Sequence, residues 1–325
     1  MKNILVTGAG GFIGSHLTEL LVKKGYKVKA FIHYNSQNNY GWLENSDVKN
    51  EIEIVQGDIR DYDSVRNAVK SVDSVFHLAA LIGIPYSYVS PLAYIRTNIE
   101  GTYNVLQSSR VSDIENILIT STSETYGTAQ YIPIDEKHPS VGQSPYAATK
   151  ISADEIALSF YRSFNLPVKI VRPFNTYGPR QSARAIIPTV MSQLLEGRKK
   201  LTLGNLTPTR DLTFVKDTVA GFYEISYSDM AIGRALNIGT NSEISIGDLV
   251  ELIGKILGNN DFEIVSETVR KRPKNSEVER LYCDNSLIKK LTKWQPEYNL
   301  HKGLQETAEW IKNNLNRYKT GIYNI

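Results

Sequence analysis

Tyr146-Ala147-Ala148-Thr149-Lys150 sets a phenol and an ammonium four residues apart, a spacing that puts both on one face of a helix. A free tyrosine titrates near about 10, too high for a base at neutral pH. A lysine and a positively charged hydride acceptor beside it would stabilise the phenolate and lower that value. Tyr146 is then expected to take the proton from an alcohol whose carbon surrenders hydride. Upstream, the apolar run Ile117-Leu118-Ile119-Thr120-Ser121 leads into Thr122-Ser123-Glu124-Thr125-Tyr126-Gly127. Hydroxyl donors and a carboxylate thus arrive together at a strand end, where ligands bind in parallel α/β sheets.

The hydride acceptor has a place to bind. Directly after the first apolar run, Gly8-Ala9-Gly10-Gly11-Phe12-Ile13-Gly14 leads into a helical pattern. Glycines there let the backbone approach a pyrophosphate, and the helix N-terminus offers free N–H groups and a positive dipole end. The strand before and the helix after are the context that turns a weak motif into a dinucleotide site. The second strand ends Phe31-Ile32-His33-Tyr34-Asn35-Ser36, with neither the acidic residue of an NAD site nor the arginine of an NADP site. No Lys or Arg lies between Ala30 and Lys49, which favours NAD over NADP. Asp58 in Gly57-Asp58-Ile59-Arg60 is placed to accept from the adenine amino group, or is a turn aspartate.

Strands are expected at Ile4 to Thr7, Val28 to Ile32, Ile52 to Gln56, Ser74 to Leu78, Ile117 to Ser121 and Val168 to Arg172. Helical-period segments separate them; Ile13, Leu17, Leu20 and Leu21 share one face, and Gly25 stops that helix. The fold class is α/β, a doubly wound parallel (Rossmann-type) sheet with a smaller mixed α/β substrate-binding domain. Beyond Arg172 the pattern loosens, and Asn237-Ile238-Gly239 returns to the sheet. The expected division is therefore interleaved: residues 1–178 with about 212–240 for the dinucleotide, 179–211 and 241–325 for the substrate.

Of the 325 residues 41% are apolar, enough for a substantial core. With 37 basic and 34 acidic residues the formal charge of +3 points to neither nucleic acid nor membrane as partner. Cys283 stands alone and the five histidines are scattered, so neither an internal disulfide nor a metal site is expected. A first strand that begins at once and the lack of any apolar run of spanning length give a cytoplasmic expectation.

These residues together resemble the extended short-chain dehydrogenase/reductases of the nucleotide-sugar epimerase and dehydratase group. The resemblance runs over essentially the whole chain and is carried by Gly8, Gly11 and Gly14, Leu78-Ala79-Ala80, Asn98, Thr122-Ser123-Glu124, Tyr146 with Lys150, and Arg172-Pro173-Phe174-Asn175-Thr176-Tyr177-Gly178-Pro179. It implies that Thr122 binds the sugar O4, that Tyr146 is the base, and that Lys150 holds the nicotinamide ribose. Simple 4-epimerases lack a useful carboxylate at the Glu124 position, whereas in 4,6-dehydratases it removes the C5 proton. Oxidation at C4 makes that proton acidic, water leaves from C6, and hydride returns to C6. Many dehydratases have Asp where this chain has Ser123, so the acid for the leaving hydroxyl is Glu124 itself or a water held by Ser123. Implied cofactor contacts are Gly8, Gly11, Phe12, Ile13, Asn35, Ser36, Asp58, Ile59, Leu78, Ala79, Ala80, Asn98, Tyr146 and Lys150, around an NAD that stays bound and is recycled.

For the sugar nucleotide the candidates are Ser87, Asn175, Arg184, Asn205, Arg210, Arg272 and Glu277. Guanidinium groups can grip a diphosphate, and a carboxylate suits ribose hydroxyls or a guanine edge; Ser87 equally suits a loop cap. The Leu-Gly-Asn…Arg-Asp stretch and Arg-Pro…Glu-Val resemble GDP-mannose 4,6-dehydratases. Tyr34-Asn35-Ser36, Gly41-Trp42-Leu43 and Gly127-Thr128-Ala129-Gln130-Tyr131 are similar to the N-acetylglucosamine nucleotide dehydratases of the legionaminic acid pathway. The implied substrate is GDP- or UDP-N-acetylglucosamine. UDP-glucuronate decarboxylase is the nearest alternative; it needs a cation at the substrate carboxylate, and no residue of the sequence clearly fills that role. A 4-epimerase fits Glu124 less well, and a redox-sensing protein without catalysis has no use for Tyr146, Lys150 and Glu124 together. A homodimer or homotetramer is implied through the helix after Asn98 and the one bearing Tyr146, with Val105, Ile151, Ile156 and Phe160 as contact or ordinary core positions.

Overall fold

Six apolar runs of the first half, and one late in the chain, form a single seven-stranded parallel sheet. The computed structural model describes residues 2–267, 270–320 and 322. Strands β1 (Asn3–Thr7), β2 (Lys27–His33), β3 (Ile52–Gly57), β4 (Ser74–His77), β5 (Asn116–Thr120), β6 (Val168–Pro173) and β7 (Ala235–Ile238) lie in the order β7-β6-β5-β4-β1-β2-β3. Side chains alternate across it, as a two-residue period requires. Ile4, Val6 and Leu118 face one core and Leu5, Ile117 and Ile119 the other. The first core is covered by α1 (Phe12–Lys23) and, much later in the chain, Val215–Ser226. The second is covered by α2 (Tyr62–Val69), α3 (Gly101–Val111) and α4 (Pro145–Phe164).

The expected strands are thus present, with ends that shift by a residue or two. Leu78 and Ser121 fall just outside β4 and β5, although their N–H groups still donate to Thr7 O at 3.2 Å and Val171 O at 2.7 Å. Strand β7 pairs with β6, Asn237 opposite Arg172, so the sheet closes only after the chain has made its excursion through 179–211. That excursion and the final third build small two- and three-stranded sheets and, among the described residues, four α-helices, Ile186–Leu195, Ile246–Leu257, Ser286–Leu291 and Leu300–Asn313.

The order of connection reverses between β1 and β4, which opens a crevice at their carboxyl ends. Thr7 closes its floor: its Oγ1 accepts from Leu78 N–H and Ala79 N–H, both at 3.2 Å, and meets His77 Nδ1 at 2.8 Å. His77 Nε2 reaches Thr102 Oγ1 at 3.1 Å. Burial, with the charge of Lys150 adding to it, lowers the His77 pKa to about 3. An unfolded histidine binds its proton near about 6.5, so between that pH and about 3 the unfolded chain holds one more proton here than the folded one. Stability from this group is complete above the unfolded value and is lost as pH falls through the window. Thermal unfolding followed from neutral to mildly acidic pH should steepen by up to about 1.4 kcal/mol per pH unit from His77. A His77→Gln variant should show a correspondingly flatter dependence, and equal slopes would refute the assignment.

Candidate active site

Strand β5 delivers its last residues to the crevice and a short turn, Ser123–Tyr126, follows at once. Thr122 caps that turn: its Oγ1 accepts from Glu124 N–H at 3.2 Å, while Thr125 Oγ1 donates to Thr122 O at 2.8 Å. Helix α4 starts on a similar device, Ser144 Oγ accepting from Ala147 N–H at 3.1 Å with Pro145 in the first helical position. Tyr146 then lies in the first turn and Lys150 one turn on, both turned to β5. Thr122 acts to lower the pKa of the Tyr146 phenol, Lys150 Nζ donates to Thr120 O at 2.6 Å, and the Tyr94 ring stands edge-on to Tyr146 at 6.3 Å. Phenol, ammonium, Thr122, Ser123 and Glu124 all line one cavity of about 1500 Å³.

Beneath them is a buried charge pair. Asp154, one turn beyond Lys150, accepts through Oδ2 from Ser121 Oγ at 2.8 Å and from Arg172 Nε and Nη2 at 3.1 and 3.0 Å. Arg172 Nη1 donates to Tyr126 OH at 3.1 Å, and that hydroxyl donates to Asn237 Oδ1 at 2.7 Å. Burial pulls the Lys150 ammonium down, with Asp154 opposing. The Tyr146 phenol is pushed up, first by burial and then by the Glu124 carboxylate, with Thr122 acting the other way. In the protein alone desolvation outweighs the charge-stabilising contacts, and the expected lowering of the tyrosine called for the positive charge of a bound hydride acceptor beside Lys150.

On the other side of the crevice the glycine cradle fits a dinucleotide. A Cβ on Gly14 would stand 2.1 Å from Gly8 O, so only glycine lets α1 begin against β1 with its first N–H groups facing the cavity. Gly8, Gly11, Phe12, Ile13, Asn35, Asp58, Ile59, Leu78, Ala79 and Ala80 line the cavity with Tyr146 and Lys150. Asp58 is engaged: its Oδ1 and Oδ2 each accept from Arg60 Nε at 3.0 Å, which binds the carboxylate at the place where the adenine amino group was expected. Arg60 also lines the wall, a cation that a search between residues 30 and 49 does not reach.

Three expected residues lie elsewhere. Ser36 is exposed on the loop after β2 and does not line the cavity. Ser87 is fully buried inside the short helix Ile84–Val89 and donates to Ile84 O at 2.7 Å, so it neither lines the cavity nor caps a loop. Asn98 lies in a π-helical stretch, Ile95–Glu100, where it takes Leu81 N–H at 2.9 Å and donates to Leu81 O and Thr149 Oγ1 at 3.0 and 3.1 Å. Its amide is spent on tying the β4 loop to α4. Such stretches recur at functional sites.

Asn175, Arg184, Asn205, Arg210, Arg272 and Glu277, expected to bind the sugar nucleotide, line the same cavity. Four of its charges connect: Arg272 Nη1 lies 3.7 Å from both Glu124 Oε1 and Glu277 Oε1, and Arg210 Nη2 lies 3.6 Å from Glu277 Oε1. The reading of single residues missed Arg180, which lines the cavity while bonding Ser15 Oγ at 3.1 Å and Glu19 Oε1 at 2.8 Å. Its position directly after Gly178-Pro179 was the available signal. Among the described residues no group of His, Cys, Asp and Glu could hold a metal ion, and no helix is long and apolar enough to cross a membrane.

A seven-stranded parallel sheet with a glycine cradle at its switch point and a Tyr and Lys pair across the crevice defines an extended short-chain dehydrogenase/reductase architecture. The family model for GDP-mannose 4,6 dehydratase matches residues 5–307, and the chain belongs to that family of nucleotide-sugar dehydratases and epimerases. A putative UDP-glucose 4-epimerase of Methanocaldococcus jannaschii is 31% identical over 96% of this chain and 99% of its own. A dTDP-glucose 4,6-dehydratase of Bacillus anthracis, solved in complex with NAD, superposes with a TM-score of 0.86 at 29% identity, covering 98% of this chain and 99% of that one. A UDP-N-acetylglucosamine 4-epimerase of Methanobrevibacter ruminantium, solved with UDP-N-acetylmuramic acid, gives 0.86 at 30% identity, covering 96% and 99%.

Gly14→Ala is expected to abolish dinucleotide binding measured by calorimetric titration, since the new methyl group must displace the Gly8 carbonyl. Unchanged affinity would place the dinucleotide elsewhere.

Proposed function

We propose that the protein is a nucleotide-sugar 4,6-dehydratase acting on GDP- or UDP-linked N-acetylglucosamine with a retained NAD. The observation that carries this reading is Glu124, a buried carboxylate that lines the same cavity as Tyr146 and Lys150. When bound, NAD supplies the hydride acceptor for C4 and the hydride donor for C6. Thr122 orients O4 and Tyr146 removes its proton; Lys150 secures the ribose and favours the phenolate. Glu124 removes the C5 proton, made acidic by the neighbouring ketone, and the C6 hydroxyl leaves as water after protonation by Glu124 or by a water held by Ser123. Arg210 and Arg272 grip the diphosphate and Glu277 takes the nucleoside hydroxyls or base edge. Residues 1–178 with about 212–240 hold NAD, and the remaining segments hold the sugar nucleotide.

UDP-glucuronate decarboxylation keeps one specific support: the cation Arg272 lies 3.7 Å from Glu124, and in that reading it pairs with the substrate C6 carboxylate instead of the diphosphate, a role that no residue clearly filled on sequence alone. A panel of GDP-, UDP-, CDP- and dTDP-sugars, read by mass spectrometry, separates the readings: the N-acetylglucosamine nucleotides should lose one water, whereas carbon dioxide from UDP-glucuronate would overturn dehydration. Glu124→Gln should lower the dehydration rate by about 10²-fold or more while leaving bound NAD in place. Dehydration at the parent rate would remove its role as base.

We further propose a homodimer. Val105 and Phe160 are core, and Ile151 and Ile156 are only partly buried. Leu92, Ile95 and Tyr103, along the helical stretch 91–111, are exposed instead, as is Phe164 at the end of α4. They form an apolar strip suited to a second copy. Light scattering should give twice the chain mass, and a Leu92→Glu, Tyr103→Glu variant the monomer mass; a parent monomer at all concentrations would refute the dimer.

A further inference from the structure

Between β2 and β3 the chain folds back onto its own phosphate cradle. Asn35 shapes the turn, its Oδ1 accepting from Asn39 N–H at 3.0 Å and its Nδ2 donating to Asn39 O at 2.8 Å. Asn39 Oδ1 then accepts from Gly41 N–H at 2.7 Å. The Trp42 N–H donates to Gly10 O at 2.9 Å. Gly41 has φ of 64°, and a Cβ there would lie 2.3 Å from the same oxygen, so no larger residue permits this contact. Leu43 follows into the core and anchors the loop.

The other end of the chain meets the Trp42 ring from outside. Trp310, on the last long helix, is edge-on to it at 5.3 Å, and the Arg317 guanidinium lies over it at 5.1 Å. Tyr318 fixes that segment by donating from its hydroxyl to Gln181 O at 3.0 Å. Trp42, Arg317 and Lys319 line the cavity together with Gly10 and Gly11. An indole and two cations therefore line the cavity into which the glycine cradle opens, contributed by segments more than 270 residues apart in the chain.

We propose that Trp42 and Arg317 form a latch across the mouth of the dinucleotide site that keeps the cofactor bound between turnovers. The latch suits a reaction without net oxidation, in which the hydride taken is given back and the dinucleotide has no need to exchange. Arg317 adds attraction for the diphosphate, and its stacking on Trp42 makes release depend on parting the two. The inference rests on dinucleotide binding at the cradle and is indifferent to which sugar reaction follows.

The test loads the full-length protein with NAD and chases it with excess fluorescent etheno-NAD, for the parent, Trp42→Ala, Trp42→Phe and Arg317→Gln. Release should accelerate about ten-fold in Trp42→Ala and Arg317→Gln, with Trp42→Phe between them and the parent. Melting temperatures before loading identify a variant that fails to fold. Should Trp42→Ala be such a variant, Arg317→Gln alone decides. Release from folded variants at the parent rate would overturn the latch and leave the dehydratase reading intact; a parent that binds no NAD would overturn both.

Discussion

A lysine ammonium sealed inside the protein is the constraint on which the rest of the site depends. Lys150 is almost wholly buried, and a cation there needs an acceptor and a counter-charge. The Thr120 carbonyl at the end of β5 supplies the first and Asp154, one turn along α4, the second. Both conditions fix α4 in rotation and height against the sheet edge. The same placement carries Tyr146 to Thr122 and brings the turn with Glu124 alongside. Asp154 is itself held by Arg172 from β6 and by Ser121, so three consecutive parts of the fold converge on one charge. Removing one member of such a buried pair typically costs about 3–5 kcal/mol, a scale at which site geometry and fold stability are one matter.

The parts of this arrangement that were legible in the sequence are those encoded locally. Strands buried on both faces read as apolar runs, and the glycines, the Tyr and Lys pair and the Thr-Ser-Glu triplet each lie within a few consecutive residues. What escaped was made by tertiary contact. Arg180 reaches α1 from beyond β6, Arg317 reaches Trp42 from the far end of the chain, and Arg60 meets Asp58 in the very place reserved for adenine. Asn98 and Ser87 were legible as polar residues in an otherwise apolar region, but type alone cannot separate a side chain that binds ligand from one that satisfies backbone. The tyrosine shift was hidden for a related reason: spacing reveals which charges are near, and only the fold reveals how much water has been removed.

The cluster Glu124, Arg272, Glu277 and Arg210 joins two tasks within one cavity. Glu124, whose charge acts on the Tyr146 phenol, shares Arg272 with Glu277. Ligand charge arriving at either end must alter the field at the other, so the two ends of the cluster are electrostatically connected.

Strand β7 gives the chain a property of a different kind. Because β6 acquires its outer neighbour only from residues 235–238, the first 178 residues cannot finish the sheet that they begin. A fragment ending there would present Val168–Pro173 as a bare edge with unpaired backbone groups, open to pairing with another extended chain. Synthesis on the ribosome passes through that very state, so the nascent protein must hold an unfinished sheet while the later residues are still being made.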